Sequence, residues 1–426
     1  MRITVLAVGS RGDVQPVLAL ALALQQAGHV VRLGTHDVFR PLAESHGMDV
    51  HVLRGLSIDD LMHTMTAGGG QRRGGRFFGE FFRGMGLIRE GLEGLQDSCL
   101  EAAADAELLC ISPQLLAFAA SLAETGGPVQ ACLSLQPMAP TGQFPSPFMG
   151  TRSLGPWLNR MSYTAPAHLF WPFVSRTFNH WRDTRLGLGP VGASTAARWL
   201  KFQRDLFCGF SEHVVPRPPD WSSHVQTCGY WRLVSDGWCP SVELERFLAA
   251  GPPPLAIGFG SMADGEAERT LSTVLEALEL SGRRAVIQTS LSGTEGRGLP
   301  ETVHRADDLP HDWLFPRCAA VVHHAGAGTA GETMRAGIPS IPVPWAFEQP
   351  WWARRMQQLG VATAPLPRHR LTAQALAQRI TQACDDASLR MRARNLGHAL
   401  QAEDGLACAV SRLERLVETR QARGLG

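Results

Sequence analysis

One pattern occurs twice in this chain: a short apolar run, a glycine-containing turn, a helical stretch and a second apolar run. The first series runs from Ile3 to Val8, turns at "GSRGD", continues as "VQPVLALALALQQAG" up to Gly28 and returns to strand at "HVVRLGTH". The second begins at Leu255 with "LAIGFGSM", continues through "AERTLSTVLEALELSG" and returns to strand at "RRAVIQTS". Unbroken apolar runs suit strands covered on both faces, and an intervening helix is the connection that parallel strands require. The expected fold is therefore α/β, with two Rossmann-like, doubly wound domains facing each other across a cleft.

Between the two series lies "EHVVPRPPDW", Glu212 to Trp221, whose crowded prolines disfavour helix and strand alike. It sets the expected boundaries: a first domain over 1–213, a linker over 214–221 and a second domain over 222–400. The stretches "QALAQRITQACDD", "ASLRMRARNLGHALQ" and "GLACAVSRLERLVETR" are helical in pattern, and the segment 401–426 is free to cross back to the first domain.

The chain has 426 residues, enough for two such cores. Its 40 basic and 39 acidic residues leave a formal charge of +1, without the electrostatic footprint of a nucleic-acid binder. Nine cysteines are scattered singly, with no C-x-x-C pair and no zinc-ligand spacing, and read as free thiols in a reducing compartment. The opening "MRITVLAVGS" turns polar too soon for a signal peptide, and no apolar run approaches a membrane span. The expected location is the cytoplasm, with peripheral membrane contact left open.

The stretch "AAVVHHAGAGTAGETMRAG", Ala319 to Gly337, carries Gly326, Gly328 and Gly331 spaced as G-x-G-x-x-G. That spacing suits the dinucleotide turn of a nicotinamide-dependent oxidoreductase. The paired His323 and His324 just before it suit a different use. A helix N-terminus offering N–H groups around Gly326, Ala327, Gly328 and Thr329 holds a phosphate, and an imidazole beside it helps a diphosphate to leave. In "GSRGD", Gly9 and Gly12 let the backbone approach a ligand, and Asp13 either acts as a general base toward a hydroxyl or caps the helix that follows. The two roles are compatible. "GFGSM" offers Ser261 to the same diphosphate, and "PWAFEQPWW" brings Glu348 and Gln349 to a strand end, where carboxylate and amide suit sugar hydroxyls. Two apolar segments remain: "GGGQRRGGRFFGEFFRGMG", with Phe77, Phe78, Phe81 and Phe82 among arginines, and Pro137 to Trp181, which shows no clear periodicity. The first is a lid over an apolar ligand, a membrane patch or part of the core. The phenylalanines, with Pro137 and Met138, are the candidate acceptor pocket.

Together these stretches resemble the nucleotide-sugar-dependent glycosyltransferases of family 1, with the two-domain GT-B fold. Within it they look most like the sterol 3-beta-glucosyltransferases and the bacterial antibiotic and lipid glycosyltransferases. The resemblance rests on "GSRGDVQP", "GFSEHVVPRPPDW", "PPPLAIGFGSM" and the long stretch from Leu309 to Met356. It implies that Asp13 is the catalytic base and His324 the diphosphate ligand. Gly326 to Thr329 would surround the phosphates, with Ser261, Ser10, Arg11 and Gly12 from facing turns. It further implies that Glu332 binds the donor ribose, Leu309 meets the base through its backbone, and Glu348 and Gln349 hold the sugar. Three departures stand out: Ala325 replaces a glycine, Glu348 replaces the commoner aspartate, and no tryptophan stands near Asp308.

The expected reaction is inverting transfer of a hexose from a UDP- or TDP-sugar to a hydroxyl of a bulky hydrophobic acceptor: a sterol, a polyketide or a lipid. With no D-x-D motif, no metal or other cofactor is expected. The rival readings are the oxidoreductase and a silent partner protein that only binds nucleotide sugar. The sequence leaves the oligomeric state open.

Overall fold

The computed structural model describes residues 1–55, 91–200, 205–235, 237–259, 267–288, 298–306 and 309–422. They form two compact units: Met1–Ser146, Arg152–Leu233 and Asp404–Gly426 make one, Pro147–Thr151 and Val234–Glu403 the other.

The first unit holds a parallel sheet of β1 (Arg2–Leu6), β2 (Val30–Thr35), β3 (Val50–Val52), β4 (Leu108–Ile111), β5 (Val129–Ser134), β6 (Leu206–Cys208) and β7 (Val225–Thr227). Its strand order is β3-β2-β1-β4-β5-β6-β7. Ile3 pairs with Val31 on one side of β1 and with Leu108 on the other, so apolar residues flank the central strand on both edges. Helix α1 (Arg11–Gln26) starts three residues before the apolar pattern, because Ser10 and Asp13 supply its N-terminal turn; it buries Val14, Val17, Leu18, Leu20 and Leu24. Burying a leucine fully contributes roughly 1.5–3 kcal/mol, so this face anchors the helix to the sheet. The unit also holds α2 (Leu116–Glu124), α3 (Pro156–Leu186) and α4 (Ala193–Trp199).

The stretch from Pro137 to Trp181 is more regular than its sequence suggests, since most of α3 falls inside it. Pro166 and Pro172 interrupt the pattern, yet the helix begins with Pro156 at its first position and ends at Gly187 in the left-handed region. Its buried face is aromatic: Phe178 packs against Trp171 and Trp181 at ring distances of 5.3 and 6.1 Å. Arg182, 2% exposed, is paired with Glu124 at 2.9 Å and with Ser121, which offsets the burial of its charge.

Residues 214–221 belong to the first unit and are not a linker; the chain passes to the second unit after Leu233. Val214 and Val215 are buried, and the Trp221 indole N–H donates to the Ala139 carbonyl at 3.1 Å. The prolines do forbid regular structure, but Arg217 bridges the carbonyls of Trp221, Ser222 and Val225 and holds the irregular segment in place. The C-terminal helix Gly405–Ala422 also packs in this unit, with Ala409, Leu413 and Val417 in the core and His29 paired to Glu414 at 3.1 Å.

The second unit holds a parallel sheet of β8 (Leu255–Gly258), β9 (Ala285–Gln288), β10 (Val303–Ala306), β11 (Ala320–His323) and β12 (Ser340–Pro342), in the order β10-β9-β8-β11-β12. Its helices are α5 (Val242–Ala249), α6 (Ala267–Ser281), α7 (Ala327–Arg335), α8 (Gln349–Gln358), α9 (Ala373–Asp385) and α10 (Ala387–Gln401). Leu271, Val274 and Leu278 of α6 and Leu376 and Ile380 of α9 share one core with the strands.

Candidate functional site

In each unit the sheet has one point where the chain leaves a strand on one side and returns on the other. That point lies between β1 and β4 in the first sheet and between β8 and β11 in the second. Ligands of open α/β sheets bind beyond the carboxyl ends of the strands at such points.

In the first sheet this position belongs to Gly9–Asp13. Gly9 turns the chain at φ 139°, a conformation that L side chains rarely adopt, and Ser10 then serves as N-cap of α1. Asp13, at the third helical position, uses Oδ2 to accept from the Ser10 N–H and the Ser10 hydroxyl, each at 2.9 Å. The carboxylate is half-buried and held in one orientation; Arg11 and Gly12 beside it are exposed. The bonds that cap the helix therefore also fix the direction of the carboxylate. Pro137 and Met138 follow the carboxyl end of β5, two strands from β1 and about 10 Å along the same sheet edge. Phe77, Phe78, Phe81 and Phe82 lie outside the described residues.

In the second sheet the position belongs to the two histidines, and their roles separate. His323 ends β11 and is fully buried. Its Nδ1 accepts from the Ala325 N–H at 3.2 Å, which leaves the proton on Nε2 for donation to Ser340 Oγ at 2.6 Å. Burial, together with His324 and His311, pushes its pKa well below the usual value. It is a structural, neutral imidazole. His324 differs: its Nδ1 is sealed from solvent with no hydrogen-bond partner, and its ring folds back over the Cα of Gly326. Burial first, and the nearby His311 second, lower its pKa to about 4.

Gly326 is the N-cap of α7 and offers no side chain to the helix start, and no acidic residue occupies the first turn. Elsewhere in the unit Ser241, Thr372 and Asp386 cap α5, α9 and α10 with their own oxygens. The amides of Ala327, Gly328 and Thr329 thus meet no side-chain cap at the positive end of the helix dipole, a ready site for an anion. Ala325, where the resemblance leads one to expect glycine, holds φ 66° with no exposed surface. The turn keeps the glycine conformation without the glycine. Glu332 lies on α7 within one turn of Gly328 and Thr329 and shares their helix face.

Other assigned residues are partly engaged. The Leu309 carbonyl accepts from Gln288 Nε2 at 2.8 Å. Gln349 is buried, and its Oε1 accepts from the N–H groups of Trp345 and Ala346 at 2.9 and 3.3 Å, so that oxygen shapes the loop. Glu348 is the N-cap of α8, directly after Phe347, which is 53% exposed at φ 55°. Ser261 lies outside the described residues. Sequence reasoning missed Gln288, which closes β9, and His311, which opens the short helix His311–Leu314; their side chains stand 3.3 Å apart. The signal was there: a glutamine closing "RRAVIQ" is a polar group at a strand end, and a histidine opening "HDWL" is one at a helix start. Among the described residues no group of three or more His, Cys, Asp or Glu is placed to hold a metal ion.

Comparison with known proteins bears on this geometry. The N-terminal domain of glycosyltransferase family 28 matches residues 3–125, and the C-terminal domain of the erythromycin biosynthesis protein CIII-like family matches residues 275–416. The chain is 33% identical to O-mycaminosyltylonolide 6-deoxyallosyltransferase of Streptomyces fradiae, over 99% of this chain and 98% of that one. It is 31% identical to a sterol 3-beta-glucosyltransferase of Arabidopsis thaliana, over 97% of this chain and 68% of the relative. A solved glycosyltransferase of Streptomyces sp. SF2575, complexed with thymidine diphosphate, has the same fold, with a TM-score of 0.61 at 20% identity over 97% of this chain and 99% of that one. The glycine turn therefore does not belong to an oxidoreductase: the chain belongs to the GT-B glycosyltransferases, in the group that includes sterol 3-beta-glucosyltransferases and antibiotic glycosyltransferases.

Proposed function

We propose that this enzyme is an inverting glycosyltransferase that moves a hexose from a UDP- or TDP-sugar to a hydroxyl of a bulky hydrophobic acceptor. Asp13 takes the proton of the acceptor hydroxyl as its oxygen attacks the anomeric carbon. The carbon–oxygen bond to the diphosphate breaks, and the leaving oxygens gather their charge on the amides of Ala327, Gly328 and Thr329 and on His324. Because His324 is neutral in the free protein, it meets the diphosphate as an N–H donor, and the ligand's charge then favours taking up a proton. Glu332 binds the ribose, and Glu348 with the amide end of Gln349 holds the sugar. Ser10, Arg11 and Gly12 are assigned to donor binding as well.

The observation that carries this reading is His324 itself: a buried nitrogen without a partner beside a helix start that no side chain caps. Acceptors of the sterol or polyketide class are supported by the relatives, one named for a macrolide substrate and one for sterols. Thymidine diphosphate in the solved relative favours a TDP-sugar first. No metal takes part, and the enzyme acts in the cytoplasm.

A thermal-shift panel of TDP, UDP, their glucose conjugates and NAD tests the donor, since a ligand of the native state raises apparent stability with its occupancy. A shift with one nucleoside diphosphate and its sugar is expected. A shift with NAD alone would overturn the assignment.

A further inference from the structure

Helix α3 carries an exposed apolar stripe that the transfer reaction leaves unused. At 100° per residue, Trp157, Leu158, Met161, His168, Leu169 and Arg176 fall within about 120° of the helix circumference. Trp171 and Phe178 flank the stripe about 40–60° from Trp157, Trp181 lies opposite it, and all three are buried in the aromatic core. The stripe is open to solvent: Trp157 is 68% and Leu169 64% exposed. Such a contiguous apolar ridge on a water-facing helix marks an interaction surface.

Its charges decide the partner. From Arg152 to Arg182 the sequence contains no Asp or Glu, and Asp183, near the end of α3, is the one acid of the helix. His168 also lines a recess of about 390 Å³ with Thr164, Ser194, Ala197 and Arg198, so hydroxyls, an imidazole and a guanidinium meet beside the stripe. Arg160 and Arg182 are already paired with Asp220 and Glu124, whereas Arg176 and Arg198 are exposed and stand in no ion pair among the described residues. A second copy docking the same face would bring like charges together. Tryptophan and leucine on a convex ridge, with basic groups alongside and a single acid, Asp183, only in the last turn, are the composition of a helix lying in a membrane interface.

We infer that this face of α3 docks the enzyme on an anionic lipid surface. Trp157, Met161 and Leu169 enter the headgroup boundary, and the recess holding His168 and Arg198 takes a lipid phosphate. No helix among the described residues is long and apolar enough to cross a membrane, so the attachment is peripheral.

Co-sedimentation of the full chain with vesicles tests this, using equal parts phosphatidylglycerol and phosphatidylcholine against phosphatidylcholine alone. The unaltered protein is expected to sediment with the anionic vesicles and to be released by salt. Replacing Trp157→Glu together with Leu169→Glu should lower the partition at least about tenfold, and Arg176→Ser with Arg198→Ser should remove the preference for anionic lipid. Unfolding followed by circular dichroism should place both variants at the midpoint of the unaltered protein; a variant that fails this is replaced by Leu169→Ser, with a smaller loss expected. Excess inorganic phosphate should leave the protein on the vesicles. The inference falls if the unaltered protein stays in the supernatant, if it binds both vesicles equally or if the glutamate variant sediments unchanged. Displacement by phosphate would make the recess a site for a free anion, and a dimer dissociated by Leu169→Glu would make the face a self-interface; either outcome overturns the lipid assignment.

Discussion

Gly9→Ala strikes Asp13 from behind. A Cβ built on Gly9 would lie 2.5 Å from Asp13 Oδ2, 2.7 Å from its Cβ and 2.8 Å from its Cγ. Ordinary contact is about an ångström longer. The carboxylate cannot give way and keep its place, because Oδ2 is bound to both donors of Ser10. Two charge-assisted bonds must loosen, and an alanine must adopt φ 139°, where side chains are strained. Strain of about 1–3 kcal/mol plus roughly 2 kcal/mol of weakened hydrogen bonding gives an expected loss of about 3–5 kcal/mol in stability. The turnover number should fall about a hundredfold if the carboxylate moves by an ångström. Gly12→Ala is the stability control: its Cβ would meet nothing nearer than Ser10 Oγ at 3.7 Å, and alanine is the better helix former. Urea unfolding and steady-state kinetics read both effects. If Gly9→Ala is as stable and active as the unaltered enzyme, or if Gly12→Ala destabilises it as much, the carboxylate is not held as described.

Three further outcomes follow from the second unit. With its pKa lowered to about 4, His324 binds fewer protons folded than unfolded, so stability falls as pH drops from about 6.5 toward 4. The contribution is about 3 kcal/mol, and in urea titrations at several pH values His324→Gln should flatten the pH dependence by that amount; an unchanged slope contradicts the burial of the imidazole. Ala325→Val should cost more than about 2 kcal/mol and weaken diphosphate binding, since a β-branched residue strongly resists φ 66°. Ala325→Gly should stay within about 1 kcal/mol of neutral, because relieved strain offsets the lost methyl and the added chain entropy. Prolonged treatment with a chelator should leave the transfer rate unchanged; a rate restored only by divalent metal would show that charge on the leaving diphosphate is neutralised by an ion rather than by α7.

Much of the architecture was legible because the strands are buried on both faces. The run from Leu255 became β8, "RRAVIQTS" contains β9, and the helical patterns from Ala373 onward became α9, α10 and the C-terminal helix within a residue or two. Helix α3 was hidden because its packing face is aromatic and two prolines break the period, although Gly155-Pro156 and Gly187 mark its ends. The proline-rich 214–221 looked like a linker because proline forbids regular structure; it does not forbid burial, and Arg217 provides the bonds that the backbone cannot make. At the site, the grouping of Gly9 to Asp13 and of His324 to Thr329 at strand ends follows from local order in the sequence. What the sequence does not carry is the division of labour between His323 and His324, which depends on Ser340, seventeen residues away. Nor does it carry the engagement of Leu309 by Gln288, which needs the pairing of β9 with its neighbours.

The central claim is that Asp13 removes the acceptor proton while a separate set of groups binds the diphosphate. Steady-state kinetics of Asp13→Asn, alongside calorimetric binding of the nucleoside diphosphate, tests it most directly. Asparagine keeps the shape and loses the base, so the turnover number should drop about 10²–10⁴-fold while diphosphate affinity stays within about twofold. Full activity in Asp13→Asn, or a loss explained entirely by weaker diphosphate binding, would contradict the account.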